Sequence, residues 1–258
     1  MLVSEVMLQQ TQVDRVVPYY ERFFEAFPTL GDCARAGPAH VVRIWSGLGY
    51  NRRALNLHRT AMVLMAEHAG VVPVDEKALR ALPGIGGYTA RAVLAFAFES
   101  DVAPVDTNVA RVLTRWHGGV GLTAADAQAV ADRLVPSGSA WAFNQTLFDL
   151  GATVCTARPD CARCPLLRQC RWRQGGMVEP DPWRATPSAR PQSRFAGSDR
   201  QGRGRLLEAL RRGPVGRQDL SRACGWPEDM ARAERISAAL VAEGFAWTDG
   251  RSGDFRLR

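Results

Sequence analysis

Four cysteines stand close together, Cys155, Cys161, Cys164 and Cys170, spaced C-x5-C-x2-C-x5-C over 16 residues. Four thiols at this density point to metal ligation, and four thiolates suit either zinc or an iron–sulfur cluster; local spacing does not separate the two. Unligated core cysteines are the plain alternative, but four would have to crowd one loop-rich stretch. Disulfides are the other alternative. The N-terminal residues MLVSEVMLQQTQ lack the basic region and long apolar core of a secretory signal, so a cytoplasmic setting is expected, where paired disulfides are rare. Cys33 and Cys224 stand alone and are expected to be small core residues.

A second constellation is Leu82-Pro83-Gly84-Ile85-Gly86-Gly87-Tyr88-Thr89-Ala90. Pro and Gly stop one helix, the glycines let the backbone turn sharply, and the first amides of the next helix are a ready site for an anion. A Gly-x-Gly turn alone is often only a tight turn; with a basic chain and Ala90 allowing close helix packing, Gly84 and Gly86 are expected to grip a DNA phosphate without reading bases. Two carboxylates complete the list. Glu5 lies in Ser4-Glu5-Val6-Met7, and Asp106 precedes a helical stretch in Val105-Asp106-Thr107-Asn108. Alone, each has an ordinary reading: Asp106 as a helix N-cap and Glu5 as a first-turn glutamate.

These residues need elements to hold them. Val13, Val16, Val17, Tyr20, Phe23, Phe24 and Phe27 repeat with helical period, predicting a helix over 12–27. Further helices are predicted near 39–46, 52–68, 75–81, 87–98, 107–116, 123–135 and 139–154, joined by short Gly- or Pro-bearing connections. The first 170 residues read as all-α. Residues 176–199 are rich in Pro, Gly, Ser and Arg without periodicity and read as a linker that can be cut without unfolding what precedes it. Beyond it come a helix with Leu206, Leu207 and Leu210, a short helix near 219–223, a longer one near 228–243 and two short strand-like runs, the order of a winged helix-turn-helix.

The chain has 258 residues and a formal net charge of +7. Residues 171–217 hold 11 arginines against four acids, so all of that excess falls there, and nucleic acid is the polyanion it points to. A solvated basic linker is the alternative. No run of about 18 uncharged apolar residues predicts a membrane helix. Lys77 is the only lysine.

At this point the motifs are recognisable together. Residues 4–13 (SEVMLQQTQV), 45–50 (WSGLGY), 82–86 (LPGIG), 105–108 (VDTN) and the Phe143-Asn144-Gln145…Asp149-Leu150-Gly151-Ala152 stretch resemble the adenine DNA glycosylases of the MutY type, in the helix-hairpin-helix superfamily that includes endonuclease III. The likeness covers about residues 1–172. It implies a six-helix barrel with the helix-hairpin-helix over 1–106, a helical iron–sulfur domain over 107–175 and a [4Fe-4S] cluster on Cys155, Cys161, Cys164 and Cys170. The winged-helix-like module would follow over 200–258. It implies removal of adenine opposite 8-oxoguanine or guanine, with the base flipped from the stack. Glu5 would protonate the base, Asp106 would stabilise the oxocarbenium-like sugar and assist water, and Asn108 would lie near that sugar. Tyr88 stands where bifunctional relatives carry lysine, so a monofunctional enzyme is implied; a Schiff-base lyase needs an amine. Gln10, Thr11, Leu48 and Tyr50 match positions at the lesion side of the DNA.

Differences from the family are also legible. Its members usually have about one more helix before Glu5, and the first cysteine gap is usually six residues rather than five. Longer members end in a nudix-like domain that helps recognise 8-oxoguanine, where this chain has the basic linker and winged-helix module. The partner expected is duplex DNA with A:8-oxoG or A:G mispairs, met by a monomer in a bacterial-type cytoplasm at the nucleoid. Two rivals stay open: a related glycosylase for T:G or U:G mismatches or oxidised pyrimidines, and a non-catalytic iron–sulfur DNA-binding protein.

Overall fold

The computed structural model describes residues 1–118, 121–177, 181 and 194–258, so most of the expected linker lies outside the described residues. Fourteen α-helices and one two-stranded sheet are described. The chain divides into two compact units, one of Met1–Glu5 with Pro73–Pro191, the other of Val6–Val72 with Gln192–Arg258. No described helix is long and apolar enough to cross a membrane.

In the first unit, α6 (Glu76–Ala81) and α7 (Gly87–Ala97) form the two arms of the predicted hairpin. Asp75 caps α6 by accepting the Ala78 amide at 2.7 Å, and α7 packs through Ala90, Ala92, Val93 and Leu94. Arg91 on α7 reaches Glu76 on α6 and Asp132 on α9 (Ala124–Leu134), tying three helices together. Next, α8 (Thr107–Leu113) runs into a π-helical turn, Thr114–Gly118, and lies against α10 (Ala140–Thr153). Val109, Val112, Leu113, Val130, Leu147 and Leu150 make their shared core. Gly151 is what lets the two helices meet: a Cβ there would stand 2.9 Å from the Cβ of Asn108.

The second unit holds α2 (Val13–Ala26), α3 (Leu30–Arg35), α4 (Pro38–Ile44) and α5 (Arg52–Glu67). Val16, Phe23 and Phe27 face inward, with Phe23 edge-on to Trp45, while Val13, Val17 and Phe24 stay exposed. α3 was not foreseen. It is six residues long, and its signal is the Thr29/Asp32 capping box.

The winged helix-turn-helix appears in the expected order: α12 (Asp199–Arg212), α13 (Leu220–Cys224), α14 (Met230–Ala242), then β1 (Ala246–Thr248) paired antiparallel with β2 (Phe255–Leu257). A bridge from Val215 to Phe255 adds a third edge to the wing. The module does not stand as a compact unit of its own. It shares a compact unit with residues 6–72, and Arg59 on α5 donates to the Glu243 carbonyl at the end of α14 at 2.9 Å. The free basic surface expected there is also reduced, because Arg203 pairs with Glu243, Arg211 and Arg212 with Glu208, and Arg217 with Glu234.

Candidate active site and thiol cavity

Glu5 and the residues from Tyr88 to Asn108 share the first unit. Glu5 sits on α1 (Leu2–Leu8), only 8 % exposed although its carboxyl can ionise. Burial pushes its carboxyl above the ordinary value, and its hydrogen bond with Tyr88 offsets only part of this. Tyr88 is the second residue of α7, carried there by the hairpin turn. Burial pushes its hydroxyl up first, and the negative charges of Glu5 and then Asp106 push it further, so it keeps its proton and donates to Glu5. Both carboxylates singled out from the sequence thus act on Tyr88. Phe148 stands edge-on to its ring, centroids 6.4 Å apart.

Asp106 does cap α8, accepting the Val109 amide through Oδ1 at 2.7 Å. Its other oxygen accepts from Asn108 Nδ2 at 3.1 Å. Cap and candidate catalyst are one residue, and the cap fixes where the carboxylate points. The segment leading to it is also pinned: Asn144 Nδ2 donates to the Val102 carbonyl at 2.8 Å and Gln128 Nε2 to that of Ala103 at 2.9 Å. Asn108 is held in turn by Arg111, whose Nη2 donates to Asn108 Oδ1 at 2.9 Å and to the Gly151 carbonyl at 2.7 Å. Arg111 Nε reaches the Cys155 carbonyl at 2.8 Å. Arg111, Asn144 and Gly151 had no assigned role from sequence. The available signals were a cationic residue one turn after Asn108 and the Phe-Asn-Gln and Leu-Gly-Ala motifs.

At the hairpin, Gly84 has φ 78°, a left-handed turn that favours glycine. Gly86 precedes α7 with no side chain capping the helix, and a Cβ at Gly86 or Gly87 would meet nothing within 4 Å. An anion can therefore approach these backbone amides closely.

Cys155, Cys161, Cys164 and Cys170 line one cavity, together with Arg115, Trp172 and Arg173. All four are free, half-buried thiols, while Cys33 and Cys224 are buried core residues as expected. Arg115 is almost wholly buried. It pairs with Asp181, places Nη1 3.5 Å from Cys155 Sγ and gives its carbonyl to Cys170 Sγ at 3.4 Å. Among the described residues no three His, Cys, Asp or Glu side chains converge on a single ion position.

The expected lesion-side residues lie in the second unit. Gln10 and Tyr50 are exposed, with left-handed backbones at φ 55° and 46°. Thr11 is half-buried and accepts from Arg53 Nη2 at 3.1 Å. Leu48 is 2 % exposed and lies in the core of this unit.

Comparison with known proteins places the chain in a family. The profile of the HhH-GPD superfamily base excision DNA repair proteins fits residues 3–136. The adenine DNA glycosylase of Mycolicibacterium smegmatis is 47 % identical over 258 residues, covering 97 % of this chain and 85 % of that protein. Among solved structures, a thermostable thymine-DNA glycosylase superposes with a TM-score of 0.62 at 30 % identity, covering 67 % of this chain and 83 % of the other. An endonuclease III in a non-covalent complex with DNA gives 0.61 at 27 %, covering 68 % and 84 %. The chain belongs to the HhH-GPD superfamily of base excision DNA repair proteins and, within it, to the adenine DNA glycosylases.

Proposed function

We propose that this protein is a monofunctional glycosylase that removes adenine mispaired with 8-oxoguanine or guanine from duplex DNA. The observation that carries this reading is that the charges of both Glu5 and Asp106 bear on the Tyr88 hydroxyl, Glu5 through a hydrogen bond, from unlike surroundings. Glu5 is buried and holds its proton to higher pH, as a general acid requires. Asp106 accepts two N–H groups and is aimed by its helix cap. In the reaction the bond between sugar and base breaks, its electrons pass to adenine, and adenine takes the proton from Glu5. Asp106 faces the positive charge left on the sugar until water adds there and passes its proton to the Asp106 carboxylate. Asn108 keeps the Asp106 carboxylate in place. Tyr88 stabilises Glu5 by hydrogen bonding and supplies no amine, while Lys77 stands exposed on α6. Gly84, Gly86 and the start of α7 would hold a phosphate, and Gln10, Thr11 and Tyr50 would border the opposite base. The DNA complex of the endonuclease III neighbour supports a duplex as the partner.

Excision assays on duplexes carrying A:8-oxoG, A:G, T:G and U:G test the reading. Adenine release from the first two, with strands cut only after added alkali, is the expected result. The likeness to a thymine-DNA glycosylase favours one second reading, and release of thymine or uracil instead would establish it.

The four thiols fit a [4Fe-4S] cluster. They surround one cavity and can each hold one corner, and Arg115 and Arg173 bring positive charge to a group whose thiolates leave it negative. Bound there, the cluster supplies a rigid cross-link that fixes the loop of residues 155–170. Cys161→Ser or Cys164→Ser is expected to remove the brown colour and lower soluble yield and duplex affinity together, as followed by visible absorbance, iron analysis and DNA titration. A colourless wild-type protein with stoichiometric zinc would replace the cluster with zinc.

A further inference from the structure

The turn after α4 is held in a costly shape. Gly47 and Gly49 have φ of 92° and 82°, and Tyr50, with a full side chain, has φ 46°. A left-handed residue of this kind persists only where its surroundings over-determine it, and such residues gather at functional sites. Tyr50 keeps nearly half of its surface exposed. One constraint comes from α5. Arg53 Nη1 donates to the carbonyls of Val6, Met7 and Gln9 and Nη2 to that of Gly49, while its guanidinium lies 5.2 Å from the Tyr50 ring centroid.

The second constraint comes from near the other end of the chain. Arg211 on α12 donates through Nη2 to Asn51 Oδ1 at 2.7 Å and to the Val42 carbonyl at 3.2 Å. Its Nη1 donates to Glu208 Oε2 at 3.0 Å, and Ser46 Oγ donates to the same oxygen at 3.3 Å. Ser46 and Asn51 bracket the three left-handed residues, so both flanks of the turn are tied to one helix of the winged module. Burial pulls the Arg211 guanidinium below its ordinary value, and the side chain is only 9 % exposed. A buried cation of this kind is held by geometry, unlike a surface ion pair.

We propose that the C-terminal module is a positioning device for this turn: Arg211, oriented by Glu208, fixes Asn51 and presets the exposed Tyr50 ring for stacking on a base of the duplex. An aromatic face held ready stacks on any base, and presetting it lowers the ordering cost at binding. Glu208 and Arg211 are positioning residues and touch no DNA. The proposal rests on the duplex-binding reading above.

The test is the affinity of the full chain for a duplex with an uncleavable abasic-site analogue opposite 8-oxoguanine. Arg211→Ala and Asn51→Ala are each expected to weaken binding roughly tenfold, and the double variant no further. In a Tyr50→Ala background Arg211→Ala should add no loss. The single-turnover excision rate at saturating enzyme should change by less than about twofold, since Glu5 and Asp106 belong to the other unit. Unchanged affinity in Arg211→Ala, or an equal loss with and without Tyr50, overturns the proposal. Should Arg211→Ala fail to fold, Asn51→Ala and Glu208→Gln carry the same comparison. A wild-type chain that binds no duplex overturns the functional reading as well, an outcome separate from any ratio between variants.

Discussion

Asp106→Asn is expected to lower single-turnover adenine excision on the order of a thousandfold while leaving duplex affinity within a few-fold. The carboxylate opposes charge that develops only along the reaction path, so its loss weighs on the transition state and hardly on the bound ground state. The structure makes this substitution unusually clean. Asp106 also caps α8 through the Val109 amide, and asparagine is as good a cap as aspartate. The melting temperature should therefore stay close to wild type. Asp106→Ala removes the cap too and adds a stability loss of ~1 kcal/mol. Burst excision kinetics and thermal melts of the two variants separate the roles. Near-normal excision by Asp106→Asn would remove this carboxylate from the mechanism.

Glu5→Gln is the second large effect. An amide accepts the Tyr88 hydrogen bond but has no acid proton to give, so excision should fall nearly as far as in Asp106→Asn. The stability change should run the other way. Burial raises the carboxyl above its value in the unfolded chain, so the folded state holds this proton more tightly. Stability is therefore lost as pH rises from the ordinary carboxylate value through the raised one, and the penalty remains at neutral pH. Glutamine removes it. The variant should melt at or above the wild-type temperature near pH 7, with the gap closing in acid. Wild-type excision should decline as pH climbs through the raised value. A Glu5→Gln protein that melts well below wild type at neutral pH, or still excises adenine at a normal rate, would contradict this account.

Much of the site was legible because its motifs are local. The hairpin at 82–88, the cap at Asp106 and the thiol run at 155–170 each declare themselves within a few residues, and the helical period carried the long helices. What the sequence hid depends on contacts across distance. Arg111 reads as an ordinary helix charge until Asn108, Gly151 and Cys155 close around it. Gly151 looks like a mid-helix weakness, yet only a residue without a side chain admits Asn108 there. Arginines 203, 211, 212 and 217 add to a positive segment when counted along the chain, but each meets an acid once folded. Leu48 lies among residues that could face a duplex, and its own burial shows only after α4 and α5 pack. The hairpin signal is chemical and short-ranged; these others are properties of the assembled core.

The second unit is built from two stretches far apart in the sequence, Val6–Val72 and Gln192–Arg258, with the first unit's long segment between them. During synthesis α2 to α5 leave the ribosome early, while the helices that complete their unit emerge well over a hundred residues later. At typical elongation rates the delay is on the order of ten seconds, far longer than a small helical unit needs to fold. Through that interval the α5 and 45–51 surfaces that later receive α12 and α14 stand uncovered. The first unit's long segment can mature meanwhile, including its thiol loop. A nascent chain would thus assemble its chemistry before its Tyr50 turn is locked, and a chain stopped short of residue 199 would carry the carboxylates and thiols with an unfinished second half.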